Sequence, residues 1–149
     1  EGVAMLFDAL RVKHSKLTKL SLSDCSLTKK CMTSLCGAIG DEHCQLTNLN
    51  VQLNYIGDEG VEMLCCALVK EKCQLTVLNL ACCGLTDKCI PSLYEALRNV
   101  RCKLTKLWLC GNFRKIERFP NIFNSEGSML LTDAKESEHC RARGFEILL

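Results

Sequence analysis

A repeated pattern of apolar residues constrains the fold of this chain more than any other feature. A stretch that begins at Leu17 recurs from Leu46, Leu75 and Leu104, at a constant step of 29 residues. The copies share the pattern L-x-x-L-x-L-x-x-(N/C)-x-L, although the last copy is not apolar at its eleventh position. Copies at one fixed step indicate repeated structural units, each of which buries its apolar side only against its neighbours.

This pattern resembles the leucine-rich repeat, with a period at the long end of its range. Alternation of apolar and polar residues, as in Leu20-Ser21-Leu22, predicts a short strand at the start of each copy. The later apolar spacing of i, i+3, i+4, i+7 predicts a helix. Stacking of such units predicts an α/β fold, a right-handed leucine-rich-repeat solenoid. Its parallel sheet would be concave and its helices convex, in a horseshoe fragment.

The pattern also predicts how the chain is divided. We assign residues 1–112 to the repeats: a half repeat (1–16), three full repeats (17–45, 46–74 and 75–103) and a partial repeat (104–112). Residues 113–149 form a non-repeat C-terminal tail, because Arg114 stands where an apolar residue is expected. This tail either caps the last repeat with its Phe and Leu side chains or is partly disordered, and its lack of a period favours partial disorder. Because residue 1 lies within a repeat, we interpret the chain as a fragment of a longer protein.

Composition excludes several classes of partner. The net charge is +2, which is too balanced to indicate binding of nucleic acid or of an acidic membrane surface. No apolar run is long enough to span a bilayer, and residue 1 does not open a signal peptide. We therefore expect no nucleic-acid and no membrane partner.

The thirteen cysteines could indicate a secreted, disulfide-bonded protein, but their positions argue against it. Most of them recur with the leucines, for example Cys44, Cys73 and Cys102, as small buried apolar residues do. Neighbouring helices lie about 8–10 Å apart, whereas a disulfide requires Cα atoms within about 7 Å. We expect reduced, structural thiols and a cytoplasmic location.

Catalytic motifs are absent from the sequence. There is no phosphate-binding G-x-x-x-x-G-K-[ST] loop and no G-x-S-x-G motif. His14, His43 and His139 do not lie in a triad or metal-ligand pattern, and no C-x-x-C is present. We expect no enzyme activity, no cofactor and no metal site.

The expected function therefore depends on the concave sheet face, which should present a protein-binding surface. In each strand the third, fifth and seventh positions should point to solvent, with the eighth at the rim. The predicted partner-binding residues are Lys19, Ser21, Ser23, Asp24, Asn48, Asn50, Gln52, Leu53, Val77, Asn79, Ala81, Cys82, Lys106, Trp108 and Cys110, with Gly111 beside them. An exposed Trp on a rigid sheet is a typical anchor for a protein partner. The alternative is that the C-terminal tail covers Trp108.

The ninth position of each copy has a structural interpretation. It runs Cys25, Asn54, Cys83 and Asn112 along the chain. We expect these side chains to turn inward and bond backbone groups of the loop that leaves the strand, which would otherwise be buried without partners. A ligand-binding role for Asn54 or Cys83 is the less favoured alternative.

The alternation of Cys and Asn resembles the ribonuclease-inhibitor subtype of leucine-rich repeats. The strings Glu-His-Cys-Gln-Leu, Glu-Lys-Cys-Gln-Leu and Val-Arg-Cys-Lys-Leu look most like NOD-like receptors of the pyrin-domain (NLRP) branch. This resemblance covers residues 1–112 and implies a cytosolic receptor in innate immunity or early development. Its repeats would sense a protein partner, or restrain an ATP-binding NACHT module that lies upstream and outside this chain.

A ribonuclease inhibitor is the alternative function. Such a protein binds basic ribonucleases through an acidic concave face, by charge complementarity. The face predicted here carries Lys19 and Lys106 against Asp24 alone, which is the wrong sign. The sequence therefore favours a receptor module over an inhibitor.

Overall fold

A computed structural model describes residues 2–111 and 123–149, which form a parallel five-stranded sheet with helices along one side. The strands lie in chain order, so each connection leads to the adjacent strand. The elements are α1 (Gly2–Leu10), β1 (Lys19–Ser21), α2 (Lys29–Ile39), β2 (Asn48–Asn50), α3 (Gly57–Leu68), β3 (Val77–Asn79), a short 3-10 turn (Asp87–Cys89), α4 (Ile90–Arg98), β4 (Lys106–Trp108), α5 (Ser125–Glu136), α6 (Glu138–Ala142) and β5 (Glu146–Leu148).

The strand leucines form one column across the sheet. Leu20 pairs in register with Leu49, Leu49 with Leu78, Leu78 with Leu107, and Leu107 with Ile147. The three central leucines are at most 1% exposed, because neighbouring strands and the overlying helices cover them. Leu20 is only partly buried, since β1 lies at the edge of the sheet. This column confirms the predicted strands and their register.

The helices cover one face of this sheet with the apolar stripe that the sequence predicted. On α3, for example, Val61, Leu64 and Leu68 are buried, and the equivalent positions of α2 and α4 are buried too. Neighbouring helices pack against one another from α1 to α5. The core therefore lies between a helical layer and one face of the sheet, and none of the helices in the described residues lies on the other face.

The C-terminal segment differs from the partial disorder that the sequence favoured. In residues 123–149, α5 packs on α4, and β5 adds a parallel strand beside β4. Leu131, Ala134, Cys140 and Phe145 are buried there, so the segment covers the apolar side of the last repeat. The step from Lys106 to Glu146 exceeds 29 residues, which hides this unit from a search at constant period. The predicted boundary at 112 and 113, with Arg114, lies outside the described residues.

Arg143 links this segment by hydrogen bonds to the end of α4 and to the loop that follows it. Its guanidinium donates to the carbonyl oxygens of Leu97 (2.8 Å) and Cys102 (3.0 Å), and it lies 5.2 Å from the centre of the Phe145 ring. Carbonyls at a helix C-terminus lack partners within the helix, and a cation is favoured there. Arg143 therefore satisfies the end of α4 while it holds β5 in place.

The ninth position has the expected inward role at Asn54 and at buried Cys83. Cys25 is a correction, because it is exposed, and Asn112 lies outside the described residues. Asn54 Oδ1 accepts from the backbone N–H groups of Cys25 (3.0 Å) and Leu27 (2.8 Å). Its Nδ2 donates to the carbonyls of Leu22 and Val51, each at 2.8 Å. Asn54 is fully buried and links two neighbouring repeats through these bonds. One buried side chain thus satisfies several backbone groups of the adjoining loops.

None of the thirteen cysteines is in a disulfide, and most are buried. Burial raises the pKa of the Cys36 and Cys83 thiols from 9.0 to about 12. Burial also raises the thiol pKa of Cys65 and Cys89. These thiols stay protonated at neutral pH, and a protonated thiol is a poor nucleophile.

These raised pKa values predict a loss of stability at alkaline pH. Below pH 9 the thiols are protonated in the folded and unfolded chains alike, so they add no pH dependence. Between pH 9 and about 12 the unfolded chain loses its protons while folded Cys83 keeps its own, so the free energy of unfolding should fall. We expect about 1 kcal/mol from Cys83 at pH 10. Urea unfolding at pH 8 and pH 10 measures this, and Cys83→Ala should have a correspondingly smaller pH dependence. An identical dependence in both proteins would contradict the assignment.

The same burial predicts which thiols react in the folded protein. Cys25 and Cys66 are exposed and should be alkylated by iodoacetamide within minutes, whereas buried Cys36 and Cys83 should react only on unfolding. Mass spectrometry of native and denatured, non-reduced samples distinguishes these groups. Fewer than about ten alkylated cysteines in the denatured sample would contradict the prediction of reduced structural thiols.

Candidate protein-binding face

The sheet face opposite the helical layer is the candidate functional surface, and we call it the open sheet face. It corresponds to the face that the sequence predicts to be concave. Its side chains alternate along each strand with the buried leucine column, and all of them are partly or fully exposed. From β1 to β5 they are Lys19, Ser21, Asn48, Asn50, Val77, Asn79, Lys106, Trp108, Glu146 and Leu148.

A shallow groove of about 360 Å³ crosses the open sheet face from β1 to β4. Polar side chains line its β1 and β2 part, and Val77 and Trp108 contribute apolar surface further along. Of the described residues that line it, Lys19 alone is charged. Its lining is Lys19, Leu20, Ser21, Asn48, Leu49, Asn50, Val77, Asn79 and Trp108.

Backbone hydrogen bonds fix the orientation of two amide side chains on this face. Asn50 Oδ1 accepts from the backbone N–H of Gln52 (3.1 Å), and Asn79 Oδ1 accepts from that of Ala81 (3.0 Å). A backbone N–H can only donate, so the atom that it contacts must be the amide oxygen. Asn79 Nδ2 in turn donates to Gln52 Oε1 (3.1 Å). Each of these amide oxygens thus accepts one bond from within the sheet, whereas no described residue accepts a hydrogen bond from the amino groups of Asn50 and Gln52.

Trp108 lies near the other end of the groove, and its side chain is partly exposed. The Lys106 ammonium lies 5.6 Å from the Trp108 ring centre and forms an ion pair with Glu146 Oε2 (3.0 Å). Leu148 is the register partner of Trp108 on β5 and is 43% exposed. The C-terminal strand thus lies beside Trp108 in the same sheet and extends the apolar surface there.

Most of the predicted binding residues lie on this face or at its rim. Asp24 is exposed, and Ser23, Gln52, Leu53, Cys110 and Gly111 are partly exposed at the strand ends. Ala81 and Cys82 are a correction, because both are buried, at 4% and 0% exposure. The Ala81 carbonyl accepts from the Leu53 N–H of the preceding repeat (3.0 Å), and the Cys82 N–H donates to the Cys110 carbonyl oxygen of the next one (3.2 Å). Both residues thus lie between bonded neighbours, and their short side chains have little exposure.

Sequence reasoning missed Glu146 and Leu148. They belong to β5, which follows at a longer step than the earlier strands and which the pattern therefore assigns to the tail. The alternation in Phe145-Glu146-Ile147-Leu148 was the available signal, since period-2 patterning indicates a strand even outside the repeat register.

Metal-binding clusters and membrane-spanning helices are absent from residues 2–111 and 123–149. No group of three or more His, Cys, Asp or Glu side chains there could hold a metal ion. No helix in these ranges is long and apolar enough to cross a bilayer. His139 Nε2 lies 3.1 Å from the Cys102 carbonyl oxygen, so this imidazole has a structural contact at the end of α4.

Comparisons with known proteins agree with this architecture. Leucine Rich Repeat family models match residues 16–38, 43–65 and 72–88. Among solved structures, the chain is similar to "Leiomodin-1 Actin-Binding Site 2 (ABS2)", with a TM-score of 0.65 and 15% identity over 93% of this chain and 86% of that one. It is also similar to the tropomodulin C-terminal domain of Caenorhabditis elegans, with a TM-score of 0.53 and 15% identity over 96% of each chain. No curated protein matches the sequence.

These matches confirm the predicted fold class. The chain carries leucine-rich repeats and folds as an α/β leucine-rich-repeat solenoid fragment. At 15% identity the structural similarity concerns the fold alone. The function has to be argued from the surface of this chain.

Proposed function

We propose that this chain is a protein-binding module that takes its partner on the open sheet face. The observation that carries the proposal is the partly exposed Trp108, next to a groove that no segment of the described chain fills. Trp is enriched among the residues that dominate protein interfaces, because it buries a large area at little cost in side-chain entropy. The rigid parallel sheet beneath it suits a partner that binds without rearranging the backbone.

We further propose that the parent protein is a cytoplasmic receptor of the NOD-like type. The support is the Cys/Asn alternation and the three strings that close the repeats, in the sequence alone. Recurrent buried thiols that form no disulfide suit a reducing compartment. In such a receptor the open sheet face would bind a protein ligand, or the protein's own upstream NACHT module. The repeats bind and do no chemistry of their own.

A ribonuclease inhibitor stays the alternative, and the charges of the open sheet face weigh against it. Lys19 and Lys106 oppose Glu146, with Asp24 at the rim, so the face is balanced and not acidic. A basic ribonuclease would find no complementary potential there. Titration of pancreatic-type ribonuclease activity with this chain tests the alternative directly, and we expect no inhibition.

Site-specific photo-cross-linking tests the main proposal. A benzoylphenylalanine in place of Ser21 probes the open sheet face, and the same group in place of Glu62 on α3 is the matched control on the helical side. We expect discrete adducts in cell extract from position 21 alone. Equal capture from both positions, or capture from position 62 only, would contradict the proposal. Purified actin belongs among the probes, because one structural neighbour is described as an actin-binding site.

Truncation of Trp108 should weaken binding to any partner captured in this way. We expect Trp108→Ala to cost about 2 kcal/mol or more, the loss typical of an interface hot spot. Calorimetric titration of the identified partner measures this. Glu62→Ala should leave the affinity unchanged, and circular dichroism should show that both variants are folded. An unchanged affinity of Trp108→Ala would remove Trp108 from the binding surface.

A further inference from the structure

The chemistry of the open sheet face narrows the kind of partner it can take, if the proposed function holds. Lys19 is exposed at the β1 end, and within the described part of the chain it has no ion-pair partner. Lys106, by contrast, is engaged by Glu146 at 3.0 Å. The charge available to a ligand in the groove is therefore positive and lies at the Lys19 end.

The neutral side chains of the groove reinforce this preference. The oxygen atoms of Asn50 and Asn79 are occupied by backbone N–H groups of their own strands, at 3.1 Å and 3.0 Å. The Asn50 oxygen thus already accepts one bond, whereas its amino group is a hydrogen-bond donor that no described residue engages. A ligand with carboxylate and carbonyl oxygens would satisfy Lys19 and Asn50 together, whereas a basic ligand would leave these donors unpaired.

The other end of the groove requires a different chemistry. Val77 and Trp108 line it, and Leu148 extends the apolar surface beyond it. The Trp108 face nearest Lys106 is already occupied by that ammonium group at 5.6 Å. The remaining surface suits an aliphatic or aromatic side chain, which would lose its hydration on contact with Val77 and Trp108.

The spacing of the two ends sets the spacing of the ligand groups. β1 and β4 are three strand steps apart, and at about 4.8 Å per step this gives about 14 Å. An extended peptide rises about 3.3 Å per residue, so about four residues span the distance. Side chains four residues apart also lie on the same side of an extended chain, because the side-chain period is two.

We infer that the open sheet face binds an extended acidic peptide segment that runs across the strands. A carboxylate at position i lies against Lys19 and the Asn50 amino group, and a large apolar side chain at i+4 lies against Val77 and Trp108. Nucleic acid is a poorer fit. It is bound through several cations that neutralise successive phosphates, and Lys19 alone is charged among the described residues lining the groove.

A displayed random-peptide library selected against the intact chain tests this inference. We expect the enriched peptides to carry Asp or Glu at position i and a large apolar residue at i+4. Lys19→Glu and Trp108→Ala should each reduce the affinity for these peptides at least tenfold. Glu62→Ala is the control and should have no effect. In fluorescence polarisation, moving the acidic residue to i+1 or replacing Glu by Gln in the best peptide should also weaken binding at least tenfold.

The outcomes separate this inference from the proposed function. Selected peptides that need Trp108 but carry no acidic residue, or tolerate Lys19→Glu, would overturn the acidic-peptide inference and leave the proposed function standing. Selected peptides whose binding neither variant weakens would overturn the acidic-peptide inference and the proposed function together. No enrichment, or tighter binding of a twelve-nucleotide oligothymidylate that depends on Lys19, would overturn the inference as well.

Discussion

Asn54→Leu is expected to lower the free energy of unfolding by about 3 kcal/mol or more. Asn54 accepts from two backbone N–H groups and donates to the carbonyls of Leu22 and Val51, in a site with no access to solvent. A leucine of similar size leaves the Leu27 N–H and the Leu22 carbonyl buried without this partner, and each such group costs about 1–3 kcal/mol. Urea unfolding followed by circular dichroism measures the difference.

Cys83→Ala is the matched control, because Cys83 holds the ninth position of the next repeat. Its thiol contacts the carbonyl oxygens of Val51 (3.3 Å) and Ala81 (3.6 Å), which is a weaker set of bonds than that of Asn54. We expect this control to cost about 1–2 kcal/mol for a small cavity and weak hydrogen bonds. A loss for Asn54→Leu no larger than that of the control would contradict the structural role of the amide.

The second large effect is expected at the C-terminal strand. Phe145 is 4% exposed and packs with the rest of the core. Replacing a buried Phe by Ala typically costs about 3–5 kcal/mol, so Phe145→Ala should destabilise the folded chain by about 3 kcal/mol or more. The apolar side of β4 and α4 would then be left with a poorly packed cover. Thermal and urea unfolding measure this loss.

Phe145→Ala also distinguishes the two interpretations of the C-terminal tail, which are a cap on the last repeat and a partly disordered segment. Leu148→Ala is the control in the same strand, because Leu148 is 43% exposed and should cost less than about 1 kcal/mol. A partly disordered tail would make both variants neutral. Hydrogen exchange gives a second readout. In the intact chain the Leu109 N–H, which donates to Leu148 O at 2.7 Å, should be protected, and Phe145→Ala should remove that protection.

The strands and helices of the repeats could be predicted because each unit carries its own local signals. Leu49 and Leu78 stand one period apart, so one pattern predicts both the strand and its partner in register. The inward role of Asn54 follows similarly, since a buried loop beside a strand needs an acceptor and a donor at that point. The open sheet face was predictable on the same ground, from the alternation of side chains along each strand.

Other features depended on neighbours that no local pattern specifies. Ala81 occupies a position that points outward in the pattern and Cys82 one at the rim, yet both are buried in the folded chain. Lys106 lies over its near neighbour Trp108 and forms an ion pair with Glu146, which is far from it in the chain. The ion pair therefore required the position of β5 to be known.

The sequence by itself thus determined the repeated unit, its parallel stacking and the row of side chains open to a partner, because a constant period repeats the same local physics. Only the tertiary structure decided how the stack ends. Closing the last repeat with α5, α6 and β5 depends on long-range packing of Phe145 and on the Arg143 bonds to Leu97 and Cys102. Such contacts have no period, so only the folded chain brings their residues together.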